Sequence, residues 1–293
     1  MRAANSSVLQ VLGVLRGEAL KPRESPSAFA TALLEGVRAS TVGQAFQSGY
    51  RAALSALVPN ENEPLVALCV TEEKGQHPKH IETSLVLLGE QVRLRGTKKW
   101  AMAGEGTLLI VAKEVASDGG SSEVRPTLRL VRVPTAARGL SRIAMPPTRF
   151  IPDVPHTRLE FDVTLPISAL LQGDGYADYV KPFRTLEDIY VHGAVMAYVL
   201  QRAFSSTSSR ALCEMGASVL LALEAHADAP APSLDMALTG TLALAHRFFG
   251  DADSTLFQKD DEASRGWQRD KAILLLGAAA REARASKAWL LTP

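Results

Sequence analysis

The hydrophobic period of this chain changes twice, and that double change limits its fold more than any single motif. Before residue 60 the apolar residues recur at helical spacing. In SAFATALLEGVRAS, Phe29, Leu33 and Val37 stand four apart behind Ser27, a residue type suited to capping a helix N-terminus. A second helix is expected over 43–58, stopped by Pro59, and PNENEP (59–64) reads as a boundary. From Leu65 the period falls to two. Leu65 to Thr71 has the pattern of a buried strand. Gly89-Glu90 separates two apolar stretches as a hairpin turn would, and Val92 and Leu94 then alternate with Arg93 and Arg95. LLIVAKEV (108–115) and TLRLVRV (127–133) are further strands, with SDGGSSE as a loop between them. In TRLEFDV, Thr157, Leu159, Phe161 and Val163 share one face while Arg158, Glu160 and Asp162 take the other. These segments, with no helical stretch among them, predict a small antiparallel β domain over 64–165.

Beyond Pro166 the helical period returns. LEDIYVHGAVMAYVLQRAF (186–204) is apolar nearly all round, the pattern of a central buried helix. Leu212, Met215, Val219 and Leu223 form a stripe on the next helix. After DAPAPS, Ser233 is expected to cap a helix ending at Gly250, and a last helix is expected from Trp267 to Trp289. The fold class is therefore α+β: N-terminal helices (1–63), a middle antiparallel β-barrel domain (64–165) and a C-terminal helical bundle (166–293).

Composition narrows function mainly by exclusion. Lys and Arg number 32 against 31 Asp and Glu, so the charge balance favours neither a nucleic-acid partner nor a polybasic membrane surface. Cys69 and Cys213 are far apart and suggest neither a disulfide framework nor a zinc site. No apolar run is long enough to span a bilayer, and the first twenty residues are interrupted by Gly13, Arg16 and Glu18. A soluble cytoplasmic protein is expected. The common phosphate, zinc-protease and nucleophile-elbow motifs do not occur. AGEGT (103–107) reads as a turn. His77 and His80 flank Pro78, which disfavours a helix that would converge them on a metal, and His192 and His226 are expected as core or interface histidines.

Taken in order, ALCVTEEKGQ, GEQVRLRGTKKWAMAGEGTLLIVAKE and RLEFDVTLPISALLQGDG resemble the middle of the acyl-CoA dehydrogenase family, over roughly residues 65–205. The resemblance implies the same succession of helices, β domain and bundle. It implies FAD as cofactor, held between the β domain and the bundle, and an acyl-CoA or related thioester as partner; a homodimer or tetramer is expected separately, because 189–204 and 212–223 together carry more apolar surface than one bundle seam requires. Thr71 matches the threonine whose strand passes the flavin ring, and Trp100 the tryptophan that stacks near it; an indole suits that role because its flat face packs at low entropic cost. The bland alternative is that Trp100 closes a hairpin against the core.

The sequence also departs from the family pattern. Met102, which the resemblance places at the cofactor with Thr71 and Trp100, and Ala103 stand where the family has a Thr-Asn pair of flavin donors, and offer no strong donor. Lys74-Gly75-Gln76-His77 replaces a Gly-Ser-Asp segment, and SSTSSR (205–210) stands where the family carries the arginine that reaches the partner subunit's FAD pyrophosphate. The family's α-proton base falls on Ala278 in one alignment and on Leu186 in the other, leaving Glu187 as the catalytic candidate. Helix-dipole stabilisation is the structural alternative for Glu187. Three functions are compatible with this pattern. The first is a flavin-dependent oxidoreductase acting on the CH–CH bond of an acyl thioester, with lost or altered activity. The second is a degenerate member serving as a paralogous subunit or acyl-carrier binder. The third is a flavin monooxygenase using His192.

Overall fold

The computed structural model describes residues 6–18, 26–59, 63–115, 127–206, 209–228 and 235–290. The SDGGSSE loop, residues 60–62 of the expected boundary, the middle of SSTSSR and the Ser233 cap lie outside these. The chain forms two compact units. One is helical (Met1–Ala53, Thr148–Asp153 and Leu186–Pro293) and the other carries the sheet (Leu54–Pro147 and Val154–Thr185).

In the helical unit, α1 (Ser7–Leu15), α2 (Ala28–Arg38) and α3 (Val42–Leu57) come first. Ser27 caps α2 as expected, its hydroxyl accepting the Ala30 N–H at 3.1 Å. The long helix α4 (Lys181–Phe204) buries every residue from Ile189 to Leu200, as an all-round apolar helix must. Glycines let its neighbours approach. A Cβ on Gly36 of α2 would collide with the Ala194 carbonyl oxygen, and one on Gly49 of α3 would lie 2.6 Å from the Val191 Cα. Then follow α5 (Arg210–Asp228) and α6 (Asp235–Leu256).

Two helix boundaries differ from expectation. The helix expected to stop at Gly250 continues through Asp251–Leu256; the small, polar residues there do not break a helix, and Gly250 is an exposed interior position. The expected single helix from Trp267 to Trp289 is in three pieces: α7 (Glu262–Asp270), a 3₁₀ segment (Lys271–Leu275) and α8 (Ala278–Leu290). Gly277 interrupts it with φ +76, a conformation that stops one helix before the next begins.

The sheet unit has strands β1 (Leu65–Cys69), β2 (Ser84–Leu88), β3 (Gln91–Met102), β4 (Thr107–Glu114), β5 (Leu128–Pro134), β6 (Leu140–Ala144) and β7 (His156–Pro166). They form one seven-stranded sheet in the order β1-β4-β2-β3-β7-β6, with β5 on β4. The β2–β3 hairpin turns at Gly89-Glu90, with Gly89 at φ +61 as a II′-type turn requires. Leu159, Phe161 and Val163 are buried, and Val92 and Leu94 are fully so, as their alternation predicts. The pairing is antiparallel along β2–β3–β7–β6 and at β4–β5. It is parallel where β4 meets β1 and β2, a departure from the wholly antiparallel domain expected.

Candidate functional site

The residues singled out near β3 owe their positions to a bulge. Lys98 pairs with Leu159 and Ala101 with Thr157, so Lys99 and Trp100 together oppose Arg158 alone. The bulge places Trp100 at φ +59, a region that a bulky L-residue rarely occupies. Its side chain is 47% exposed. About half of its surface is therefore open to solvent. The Trp100 N–H donates to Met145 Sδ at 3.4 Å, and the indole meets the His156 ring edge-on at a centroid distance of 6.1 Å. Burial lowers the His156 pKa.

Thr71 follows β1 and is brought beside the bulge, since its carbonyl accepts the Lys99 N–H at 2.8 Å. Below this junction lies a buried ion pair. Lys98 is fully buried, with Nζ 2.6 Å from Glu72 Oε1 and 3.3 Å from the Val70 carbonyl. Glu72 also accepts the Thr83 hydroxyl and N–H and the Glu82 N–H. Burial raises the Glu72 pKa, but the charge of Lys98 and these hydrogen bonds bring it below its ordinary value. For Lys98, burial outweighs the pull of Glu72 and lowers the pKa. Met102, by contrast, is 4% exposed, and the Ala103 N–H is engaged by the Pro155 carbonyl at 2.9 Å.

Glu187 lies half-buried on α4 in the helical unit. Its neighbour Asp188 holds the more organised position. Asp188 Oδ1 accepts Arg281 Nη1 at 2.8 Å, and its Oδ2 pairs with Arg284. Arg281 also donates to the carbonyls of Leu274 and Leu276. One turn along α4, His192 Nδ1 donates to the Asp188 backbone carbonyl at 2.7 Å. This imidazole is 2% exposed, as expected for a core histidine, and burial lowers its pKa to about 4. His246 of α6 meets it edge-on at 5.4 Å between ring centroids. Ala278, the first residue of α8, borders a cleft of about 220 Å³ that also touches His246, Arg281 and Arg284.

Sequence reasoning missed this cluster. The available signals were the Asp-x-x-x-His spacing of 188 and 192 on one helix face and the paired arginines of REAR (281–284). His77 has a local role: its Nδ1 accepts the Lys79 N–H at the start of the 3₁₀ turn Pro78–His80. Among the described residues, no group of three or more His, Cys, Asp or Glu is placed to hold a metal ion.

No family model and no curated protein matches the chain. Solved structures do match it, and they define the fold as that of acyl-CoA dehydrogenases and related flavoproteins. One is FkbI, for biosynthesis of the methoxymalonyl extender unit of the Fk520 polyketide immunosuppressant. It is 14% identical, with a TM-score of 0.70 over 99% of this chain and 91% of that one. FMN-bound TdsC from Paenibacillus sp. A11-2 is 13% identical, with a TM-score of 0.66 over 97% and 87% of the two chains. Butyryl-CoA dehydrogenase from Megasphaera elsdenii is 13% identical, with a TM-score of 0.62 over 97% and 89%. At these identities the likeness is one of fold.

Proposed function

We propose that this protein is a flavin-binding oxidoreductase of the acyl-CoA dehydrogenase type whose substrate is an acyl thioester. The carrying observation is Trp100, a large aromatic ring held outward at positive φ by a bulge, where packing alone would favour burial. A bound flavin supplies two-electron acceptance from the acyl chain. Trp100 would stack on its ring system, and the Thr71 segment, tied to Lys99, would pass beside it. The fit is uneven: Met102 is buried and the Ala103 N–H is engaged, so neither replaces the missing donors. FAD is the expected form, by resemblance.

Proton abstraction is the weaker half of this reading. Ala278 and Leu186 carry no carboxylate, and that of Asp188 is engaged by two guanidiniums, which disfavour its taking a proton. Glu187 remains the proposed base. The same observations favour a second reading, a degenerate subunit or acyl-carrier binder that performs no dehydrogenation. A monooxygenase with His192 as its base gains nothing from an imidazole so buried. The near-ultraviolet and visible spectrum of the purified protein decides first: flavin bands support the oxidoreductase, and their absence supports the second reading. Anaerobic bleaching by acyl-CoAs, in wild type and Glu187→Gln, then tests the base.

A homodimer or tetramer is proposed on different grounds from those of the sequence. Residues 189–200 are buried and leave little apolar surface, whereas Leu275, Leu276, Trp289 and Leu290 are exposed near the C-terminus. No described helix is long and apolar enough to cross a membrane, and a cytoplasmic location is proposed.

A further inference from the structure

Both backbone donors of the β3 bulge leave the strand ladder. The Lys99 N–H goes to the Thr71 carbonyl, and the Trp100 N–H goes to a side chain, Met145 Sδ, at 3.4 Å. Met145 is fixed for this contact by its own backbone. It follows β6, and its N–H donates to the His156 carbonyl at 2.9 Å, one step beyond the pairing of Ala144 with Thr157. His156 also pairs with Met102 of β3, and its ring meets the Trp100 indole edge-on. One residue of β7 therefore organises Trp100 twice, directly at the ring and through Met145 at the amide. Among the described residues one other non-glycine, Ile151, has positive φ, at +46. Its N–H is likewise taken by a side chain, Asp270 Oδ1, at 2.7 Å. A bulky L-residue stays in this region only where its surroundings hold it there. Ile151 is 2% exposed, so packing shares that task. The half-exposed Trp100 has less packing, and more of the task falls on the amide contact.

We propose that Met145 is a positioning residue: it holds Trp100 in its outward, left-handed conformation and so keeps the indole preformed for a flat aromatic ligand. The flexible, unbranched side chain can bring its sulfur to the bulge, where the sulfur acts as acceptor; a leucine of similar volume has none. Without that acceptor Trp100 would spend more time in extended conformations, and affinity would fall with the fraction of molecules ready to bind. The flavin as that ligand rests on the function proposed above; the hold on the Trp100 backbone does not.

The test uses the full-length protein labelled with 15N-tryptophan. The chain has three tryptophans, and the backbone signal that vanishes in Trp100→Phe is that of Trp100. Its hydrogen exchange should quicken by roughly twofold to tenfold in Met145→Leu, as loss of one hydrogen bond of ordinary net strength implies. FAD titration followed by flavin fluorescence should show affinity weakened over the same range, roughly twofold to tenfold. Met145→Gln, whose amide oxygen accepts a hydrogen bond, should recover both. Adding Met145→Leu to Trp100→Ala should cost no further affinity, because the ring that Met145 positions is already gone. A methionine that merely fills space would alter the melting temperature and leave exchange and affinity as they were. In a wild type that binds flavin, either quantity unchanged in Met145→Leu, or an additive loss in the double variant, would overturn the proposal. A wild type that binds no flavin removes the redox reading, and the exchange measurement then decides the proposal alone.

Discussion

Lys98 Nζ and Glu72 Oε1 lie 2.6 Å apart with the two side chains 0% and 5% exposed, and this pair joins the end of β1 to the bulge in β3. A buried ion pair of this kind is stabilising only while both members are present, because either one alone is a desolvated charge.

Lys98→Met should therefore cost about 3–5 kcal/mol in urea unfolding, more than its loss of contacts implies. Protonation of Glu72 on acidification should recover part of that loss in the variant. The double replacement Lys98→Met with Glu72→Gln should cost less than the sum of the singles, and strict additivity would show that the pair is uncoupled.

Replacing the indole tests the ring. Trp100→Phe should retain most of the bound flavin and Trp100→Ala little of it, since aromatic stacking contributes on the order of 1 kcal/mol beyond buried area. The measurement is flavin-to-protein absorbance after desalting. Equal flavin content in all three proteins would remove Trp100 from the binding site.

Acid should destabilise the helical unit through His192. Its pKa is lowered to about 4 in the folded chain against an ordinary 6.5, so the unfolded chain binds more protons between those values. The stability is fully present above pH 6.5 and falls as pH drops toward 4, by roughly 3 kcal/mol in total. His192→Gln should flatten this part of the stability–pH curve. An unchanged slope would assign the acid sensitivity elsewhere, with His246 and His156 next in line because burial lowers both.

Close helix approach sets the last expectation. Gly36→Ala and Gly49→Ala improve helix propensity but force α2 and α3 away from α4, and each should lose about 1–3 kcal/mol. Gly240→Ala, on α6 with open space around it, is the control and should be neutral or stabilising. Thermal melts of the three variants separate propensity from packing.

These particulars also show what a linear reading captures. Val92, Leu94, Leu159 and Phe161 were legible because a half-buried strand alternates, and Ser27 because capping is local. Strand β6 carries no such signal: Ser141, Arg142, Ile143 and Ala144 are all exposed, so it has no buried face to produce a pattern. The parallel pairing of Leu68 with Leu109 joins residues with a hairpin between them in sequence, and no local rule specifies it. Lys98 stands in a run that reads as polar surface, and only the fold reveals it as interior. Asp188 was visible as an acid near a helix start, but Arg281 and Arg284 lie some ninety residues away. The acyl-CoA dehydrogenase fold was thus readable from pattern and motif order together, and the charged cluster was not.

If Trp100 stacks on a flavin as proposed, the bulge sets folding and ligand capture against each other at one position. Glycine adopts φ +59 without the steric penalty an indole incurs, so Trp100→Gly should relieve backbone strain of about 1–3 kcal/mol while deleting the stacking face. Thermostability screens at this site would select toward an empty protein. Measured by folding alone, Trp100→Gly would rank as an improvement, and on that reading only an assay that reports ligand occupancy would show what the indole contributes.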